Sequence, residues 1–504
     1  MSTTPFMDPD SLIFCRAVAK LAFCNPFLPE RVQCEQAILG SRYKDHGPVW
    51  YARNTLLRNP NIQEIQAMAN QQAERLREKL IDGIVPSPEE ATLYRDLVLY
   101  FLYHRYEPQF ESFLRGSRSG KVIWYRAFRQ DIGYFLETTG MLEAQLPPEV
   151  IFACYFQVRR SFELIFSFII GRSMAAAELR GRIWQSIFTH NMRRYRLGLY
   201  QRMGDITTLI TGPSGTGKEL VAQAVGMTRF IPFDAESLRF GTDFQRSFFA
   251  LNLSALSPTL VESELFGHRR GSFTGAAGDR AGWLETCPSL GTVFLDEIGE
   301  LETSLQVKLL RVLQGRTFQR LGETETRHFS GKIVAATNRN LAEEMAAGRF
   351  REDFYYRLCA DQIQTPSLAS QLSGPGDELP HLVGHIANQV AGPELGPQIT
   401  DEAVTWIRKN LPKTYTWPGN FRELEQCVRN IMIGGSYQPR TTTSDTSNSW
   451  RLAQQGRLSA DALLAFYCQQ VYQQLGSYTA TADALGLDRR TVKAKVTAAE
   501  QTQE

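Results

Sequence analysis

The chain has 504 residues, 43% of them hydrophobic and 21% charged. This is ordinary globular composition with room for about three domains, and it excludes a fibrous or wholly disordered polymer. With 55 Lys and Arg against 53 Asp and Glu, the formal net charge is +2, so any contact with nucleic acid must come from a local basic patch.

The N-terminus, MSTTPFMDPDSLIF, has no early Lys or Arg and carries Asp8 and Asp10; it does not read as a secretory signal. The first third is rich in aromatics and reads as mainly helical. Ser87-Pro88-Glu89-Glu90 supplies a cap, a first-turn proline and an acid three residues on, which predicts a helix running to His104. A second helix is predicted from Pro147 to Ile170. Its apolar stretch holds Arg159, Arg160 and Glu163, too much charge for a bilayer, so no membrane contact is expected. The eight cysteines are dispersed without a C-x-x-C pair, which fits reduced, mostly buried thiols of a cytoplasmic protein.

From about residue 181 the texture changes to short apolar runs alternating with helical segments, the pattern of a parallel sheet covered on both faces. The run Thr207-Thr208-Leu209-Ile210 leads into Gly212-Pro213-Ser214-Gly215-Thr216-Gly217-Lys218 and then into an apolar-periodic helix. Such glycines let backbone N–H groups and a helix N-terminus wrap a phosphate, and Lys218 adds positive charge. Glu219 stands where the generic motif has Ser or Thr for Mg²⁺. Downstream, Thr292-Val293-Phe294-Leu295-Asp296-Glu297 reads as a buried strand ending in two acids. Asp296 suits Mg²⁺ held through water, and Glu297 suits orienting or deprotonating an attacking water. Together the two motifs predict nucleotide hydrolysis.

Between them lie Glu262-Ser263-Glu264-Leu265-Phe266-Gly267-His268 and Gly271-Ser272-Phe273-Thr274-Gly275-Ala276. With GPSGTGKE, FLDEI, AATNRNL, FREDFYYRL and WPGNFRELE in the same order, residues 181 to 435 resemble the AAA+ domain of bacterial sigma-54-dependent transcription activators. In that family Glu at the position of Glu219 is usual. The resemblance implies an α/β P-loop core over 181–365 and a helical lid over 366–435. It also implies a sigma-54-contacting loop at Gly271, Ser272, Phe273, Thr274, Gly275 and Ala276, with Ser272 in place of the family's Ala. Asn252 corresponds to the switch Asn that restrains Glu297, and Asn338 to sensor I. Arg351 and Arg357 correspond to the arginines that reach a neighbouring subunit's γ-phosphate, and Arg422 to sensor II. An ATP-hydrolysing ring, a hexamer, is the implied assembly. One segment departs from the pattern: Ser367-Leu368-Ala369-Ser370-Gln371-Leu372 replaces a basic P-P-L-R-x-R stretch.

Residues 369 to 400, with SGPGDELP and AGPELGPQ, read as a loop-rich joint around one short helix, followed by a helical segment from Asp401 to Ile433. Residues 436–457, centred on TTTSDTSNS, read as a linker. The terminal piece, 458–504, resembles the Fis-type helix-turn-helix: a helix to Leu475, a second from Ser477 to Leu485, a Gly486 turn, and a recognition helix. Asp488 would cap it. Arg489, Arg490 and Thr491 would reach DNA from its first turn, with Lys493 and Lys495 adding charge and Val492 and Val496 facing inward. The expected partners are therefore the sigma-54 RNA polymerase holoenzyme, upstream DNA and further copies of the chain. Residues 1–180 are by position a regulatory domain. The alternative is a DNA-binding regulator whose nucleotide-controlled assembly no longer engages sigma-54, favoured by Ser272 and the altered segment at 366–372.

Overall fold

The computed structural model describes residues 5–45, 59–116, 120–143, 146–241, 247–374, 376–439, 452–453 and 456–501. Most of the 436–457 linker lies outside them. Two compact units result, residues 1–436 and 437–504.

The N-terminal layer is helical. Its elements are α1 (Pro9–Phe23), α2 (Glu30–Leu39), α3 (Pro60–Ile81), α4 (Pro88–Arg115), α5 (Tyr125–Ile132), α6 (Pro148–Phe168), α7 (Met174–Phe188) and the short α8 (Met192–Arg196). The capping box at Ser87 and Glu90 starts α4 as its sequence demands. The helix does not stop near His104; it continues through Pro108 to Arg115. Packing outweighs the lost backbone bond there, because Phe110 is buried against Trp124 and Phe152, with ring centroids 4.7 and 4.9 Å away. All eight cysteines are free thiols.

The second layer is a sheet of β1 (Thr208–Thr211), β2 (Phe248–Asn252), β3 (Thr292–Asp296), β4 (Lys332–Thr337) and β5 (Asp361–Gln364). All its ladders are parallel, in the order β5-β1-β4-β3-β2. Alternate side chains feed two cores. Leu209, Val293, Leu295, Ile333 and Ala335 face one, while Ile210, Phe294, Val334, Ala336 and Ile363 face the other. Burial on both faces explains the continuous apolar runs. Helix α9 (Lys218–Gly226) follows β1, with α10 (Pro258–Phe266), α11 (Thr303–Gly315), α12 (Leu341–Ala346) and α13 (Glu352–Leu358) further along. This is an α/β core, a parallel sheet flanked by helices, as the predicted fold class requires.

The helical layer and the sheet form one unit. Helix α7 runs straight through position 180, and its Arg182 and Ser186 hydrogen-bond Asp361 of β5 at 3.2 and 2.5 Å. In return, the excursion Phe233 to Phe240 places Phe233 against Tyr125 and Phe152, and Phe240 against Phe156, at 4.0 to 4.7 Å between centroids.

The lid corrects one expectation. Residues 369–400 are not a loop-rich joint: α14 (Leu368–Leu372) and the long α15 (Leu379–Asn410) occupy most of them. Gly392, with φ 79°, breaks α15 into two halves, and Pro393 opens the second. A Cβ on Gly396 would lie 1.9 Å from Asn388 Oδ1, so glycine there allows the halves to fold closely back on each other. The predicted helix over 401–433 is likewise two pieces, the end of α15 and α16 (Asn420–Gly434).

The C-terminal unit is a three-helix module: α17 (Ala460–Leu475), α18 (Tyr478–Leu485) and α19 (Arg489–Gln501). Cys468, Ala482, Val492 and Val496 make its core.

Candidate active site

Gly212 to Gly217 form the turn from β1 into α9, so the first N–H groups of α9 and the glycine backbone line one concavity. Lys218 is buried and folds back over the turn, Nζ donating to the carbonyls of Gly212 at 3.1 Å and Pro213 at 3.2 Å. Burial lowers its pKa, opposed by Glu297 and Asp296. Thr216 Oγ1 donates to Pro213 O at 2.8 Å and meets Thr365 Oγ1 at 2.7 Å. Glu219 is exposed and accepts from Gln223 at 3.4 Å.

Asp296 ends β3, separated from β1 only by β4. Burial raises its pKa, while the Glu297 N–H, which donates to Asp296 Oδ1 at 3.0 Å, and Lys218 pull it down. Glu297 has a left-handed backbone, φ 55° and ψ 48°, a conformation that non-glycine residues adopt at a cost and that concentrates at functional sites. Its Oε2 accepts from the Asn338 N–H at 3.2 Å. Glu297 and Asn338, the expected catalytic and sensor I positions, are thus directly joined.

Asn252 stands opposite Asp296 in the β2–β3 ladder. Its side chain is spent locally: Oδ1 accepts from Ser254 N at 3.0 Å and from Ser254 Oγ at 2.7 Å.

The lid reaches the loop at three points. Arg422 NH1 lies 3.4 Å from Ser214 Oγ, Phe421 N donates to Gly215 O at 3.0 Å, and Asn420 Nδ2 donates to Ser214 O at 2.9 Å. A Cβ on Gly215 would lie 2.3 Å from Gly419 O, so this closeness depends on glycine. Asn420 was missed as a site residue. It is buried, has φ 51°, and its Oδ1 also accepts from Leu368 N at 2.9 Å. It therefore ties α16, the start of α14 in the altered segment, and the Gly212–Gly217 turn together. The turn-forming Trp-Pro-Gly-Asn run was the available signal, but it pointed to a cap rather than a bridge.

Arg351 and Arg357 are both exposed on α13 and its approach. Arg351 pairs in bidentate fashion with Asp353, at 3.0 and 2.7 Å. Its N–H donates to Gln306 Oε1 at 2.8 Å, and Gln306 is a buried residue of α11 also missed by sequence reasoning. Neither arginine side chain hydrogen-bonds the phosphate loop of its own chain among the described residues.

The loop Gly271 to Ala276 tops a short ribbon, Gly267–His268 with Arg280–Ala281. Gly271 and Gly275 have φ 79° and 100°, and Gly271 N donates to Ala276 O at 2.9 Å. Thr274 is exposed. Phe273 is half-buried, edge-on to His268 with 5.0 Å between centroids, and the Ser272 hydroxyl is buried without a partner.

In the C-terminal unit, Asp488 Oδ1 accepts from Arg490 N at 2.8 Å and caps α19. Arg489, Arg490, Thr491 and Lys493 are exposed. Lys495 is different: it is half-buried and paired with Asp461 of α17, so its charge is largely spent inside the module.

Part of the chain is similar to known proteins. Residues 192–364 match the family model described as the Sigma-54 interaction domain. It is 45% identical over 229 residues to the Nif-specific regulatory protein of Enterobacter agglomerans, across 45% of this chain and 40% of that one. It is 37% identical over 302 residues to the transcriptional regulatory protein ZraR of Salmonella typhimurium, across 58% of this chain and 63% of that one. The chain thus spans less than two thirds of the length of these relatives. The solved structure of NtrX from Brucella abortus in complex with ATP aligns over 71% of this chain and 77% of its own, at 23% identity and a TM-score of 0.39. No helix among the described residues is long and apolar enough to cross a membrane.

Proposed function

We propose that this protein is an ATP-hydrolysing activator of sigma-54-dependent transcription. The observation that carries the reading is the meeting of Lys218, Asp296 and Glu297 at one sheet edge, within a Sigma-54 interaction domain that also carries the Gly271–Ala276 loop. The turn Gly212 to Gly217 and Lys218 hold the phosphates. Asp296 fits a magnesium ion bound through water, because its carboxylate is desolvated and keeps one oxygen outside the bond to Glu297 N. Such an ion supplies charge to offset the phosphate oxygens. Glu297 orients the attacking water and takes its proton. Asn338, bound to Glu297, senses that carboxylate's position, and Arg422 and Asn420 report on the loop through the lid. Arg351 and Arg357 act on the neighbouring subunit's nucleotide in a ring, where a planar guanidinium stabilises the dispersed charge of phosphoryl transfer. Phe273 and Thr274 then transmit the cycle to sigma-54, while Arg489, Arg490 and Thr491 hold upstream DNA.

The test mixes purified protein with sigma-54 and ADP plus aluminium fluoride on a native gel, with Phe273→Ala alongside. A co-migrating complex lost in the variant is the expected result. Absence of that complex with intact ATPase would instead support a DNA-binding regulator that no longer engages sigma-54. The observation on that side is Phe273 resting against His268 rather than standing free.

A further inference from the structure

Gln306 lies on α11 with none of its surface exposed, in the layer where Leu305 and Leu309 of the same helix share an apolar core with Phe350 and Phe354. A primary amide brings two donors and an acceptor out of water, and burying it is costly unless each is met. All are met, and by backbone groups. Nε2 donates to Leu301 O at 2.7 Å and to Arg349 O at 2.9 Å, while Oε1 accepts from Arg351 N at 2.8 Å.

These bonds join two particular stretches. Leu301 closes the turn that follows Glu297, its N–H donating to Ile298 O at 3.2 Å. Arg349 to Arg351 belong to the connection from α12 to α13. Arg351 stands just before α13 in extended backbone, φ −78° and ψ 136°, so its N–H has no place in the helix ladder. Its exposed guanidinium is steadied by Asp353 of α13. An arginine side chain is long and flexible, so the reach of its guanidinium is set by where its backbone is fixed. We infer that Gln306 is a positioning residue for catalysis across the subunit boundary: it fixes Arg351 against the turn after Glu297. The arginine that a subunit offers its neighbour is thereby registered to that subunit's own hydrolytic edge. The inference rests on the proposed reading of Arg351 as a residue that acts on a neighbouring nucleotide, and it adds the group that holds it there. Misplacing such a group by about 1 Å costs on the order of 100-fold in rate.

Mixed assemblies of full-length subunits test this, with steady-state ATP hydrolysis as the readout. Gln306→Met keeps the length of the side chain and removes its bonds to Leu301, Arg349 and Arg351. Alone it should turn over ATP roughly tenfold more slowly or worse, with KM and the binding of a fluorescent ATP analogue unchanged. Arg351→Ala mixed with Glu297→Gln should regain activity, because the Glu297→Gln subunit still lends its arginine to an intact nucleotide site. Adding Gln306→Met to the Glu297→Gln subunit should leave that mixture at background. Gln306→Met mixed with plain Glu297→Gln should be rescued, since its own nucleotide site is sound; a neighbour cannot mend a merely structural fault. If Gln306→Met binds no nucleotide, Gln306→Glu, which keeps an acceptor for Arg351 N, takes its place in each mixture. The inference is overturned if the double variant restores Arg351→Ala as well as Glu297→Gln does, or if the Gln306 variant is not rescued. An inactive mixture of Arg351→Ala with Glu297→Gln instead overturns the reading of Arg351 itself, and the inference with it.

Discussion

Lys332 opens β4 with its ammonium inside the protein, donating to Ile206 O at 2.6 Å and Met203 O at 3.4 Å. Burial depresses its pKa to about 7, with Asp361 opposing the shift and Arg229 and Arg316 adding to it. A base whose pKa is lowered on folding binds its proton more weakly in the folded state than in the unfolded one. Stability therefore rises with pH between about 7 and the unfolded value of about 10.4, and the penalty is fully present below 7. In urea unfolding at pH 7 and pH 9.5, the wild type should gain stability relative to Lys332→Met at the higher pH. An equal gap at both values would mean that the amine is not desolvated. Neither the depth of this lysine nor its proximity to Asp361 was legible in the apolar run that marked the strand, since a single polar residue at its start looks like a solvated end.

Among the elements, the lid depends on one side chain more than on its helix propensity. Asn420 joins α16 to the phosphate loop through Ser214 O and to the start of α14 through Leu368 N. Asn420→Ala strands the buried Leu368 N–H, worth about 1–3 kcal/mol when left unmet, and frees the exposed Ser214 carbonyl. The expected result is a chain destabilised by a few kcal/mol that also binds nucleotide more weakly. Differential scanning fluorimetry with and without ATP reads both effects, and an unchanged ATP-dependent shift would confine Asn420 to stability alone. Other elements were more legible. The capping box at Ser87 and the Asp488 cap of α19 are local, so their residues and spacing were enough to place both helix starts. The ends of α4 and the helices inside 369–400 were not, because Pro108, Gly392 and Gly396 are decided by what packs beside them.

For the whole molecule, the helical layer and the sheet share a core through Phe233 and Phe240. Phe233→Ala removes a buried ring that touches Tyr125 and Phe152 and should cost about 3–5 kcal/mol. Because residues 1–436 form one unit, both layers should lose that stability together in a single urea transition. Two separated transitions, only one of them shifted, would show that the layers fold independently. The same shared core makes removal of residues 1–180 a structural insult: it cuts α7 in two and bares Phe233.

The proposed phosphate chemistry is legible in the sequence because its motifs are contiguous. Gly212 to Lys218 and Asp296-Glu297 each act through local backbone geometry, and a strand or helix brings the geometry with it. The same holds for the Gly271–Ala276 turn and for the inward Val492 and Val496. Only the tertiary structure decided the bridges between segments far apart in the chain: Asn420 to Ser214, Ser186 to Asp361, Phe240 to Phe156, Lys495 to Asp461, and Gln306 to Arg351. These contacts depend on which faces pack together, and periodicity along one segment carries no information about the face that will meet it.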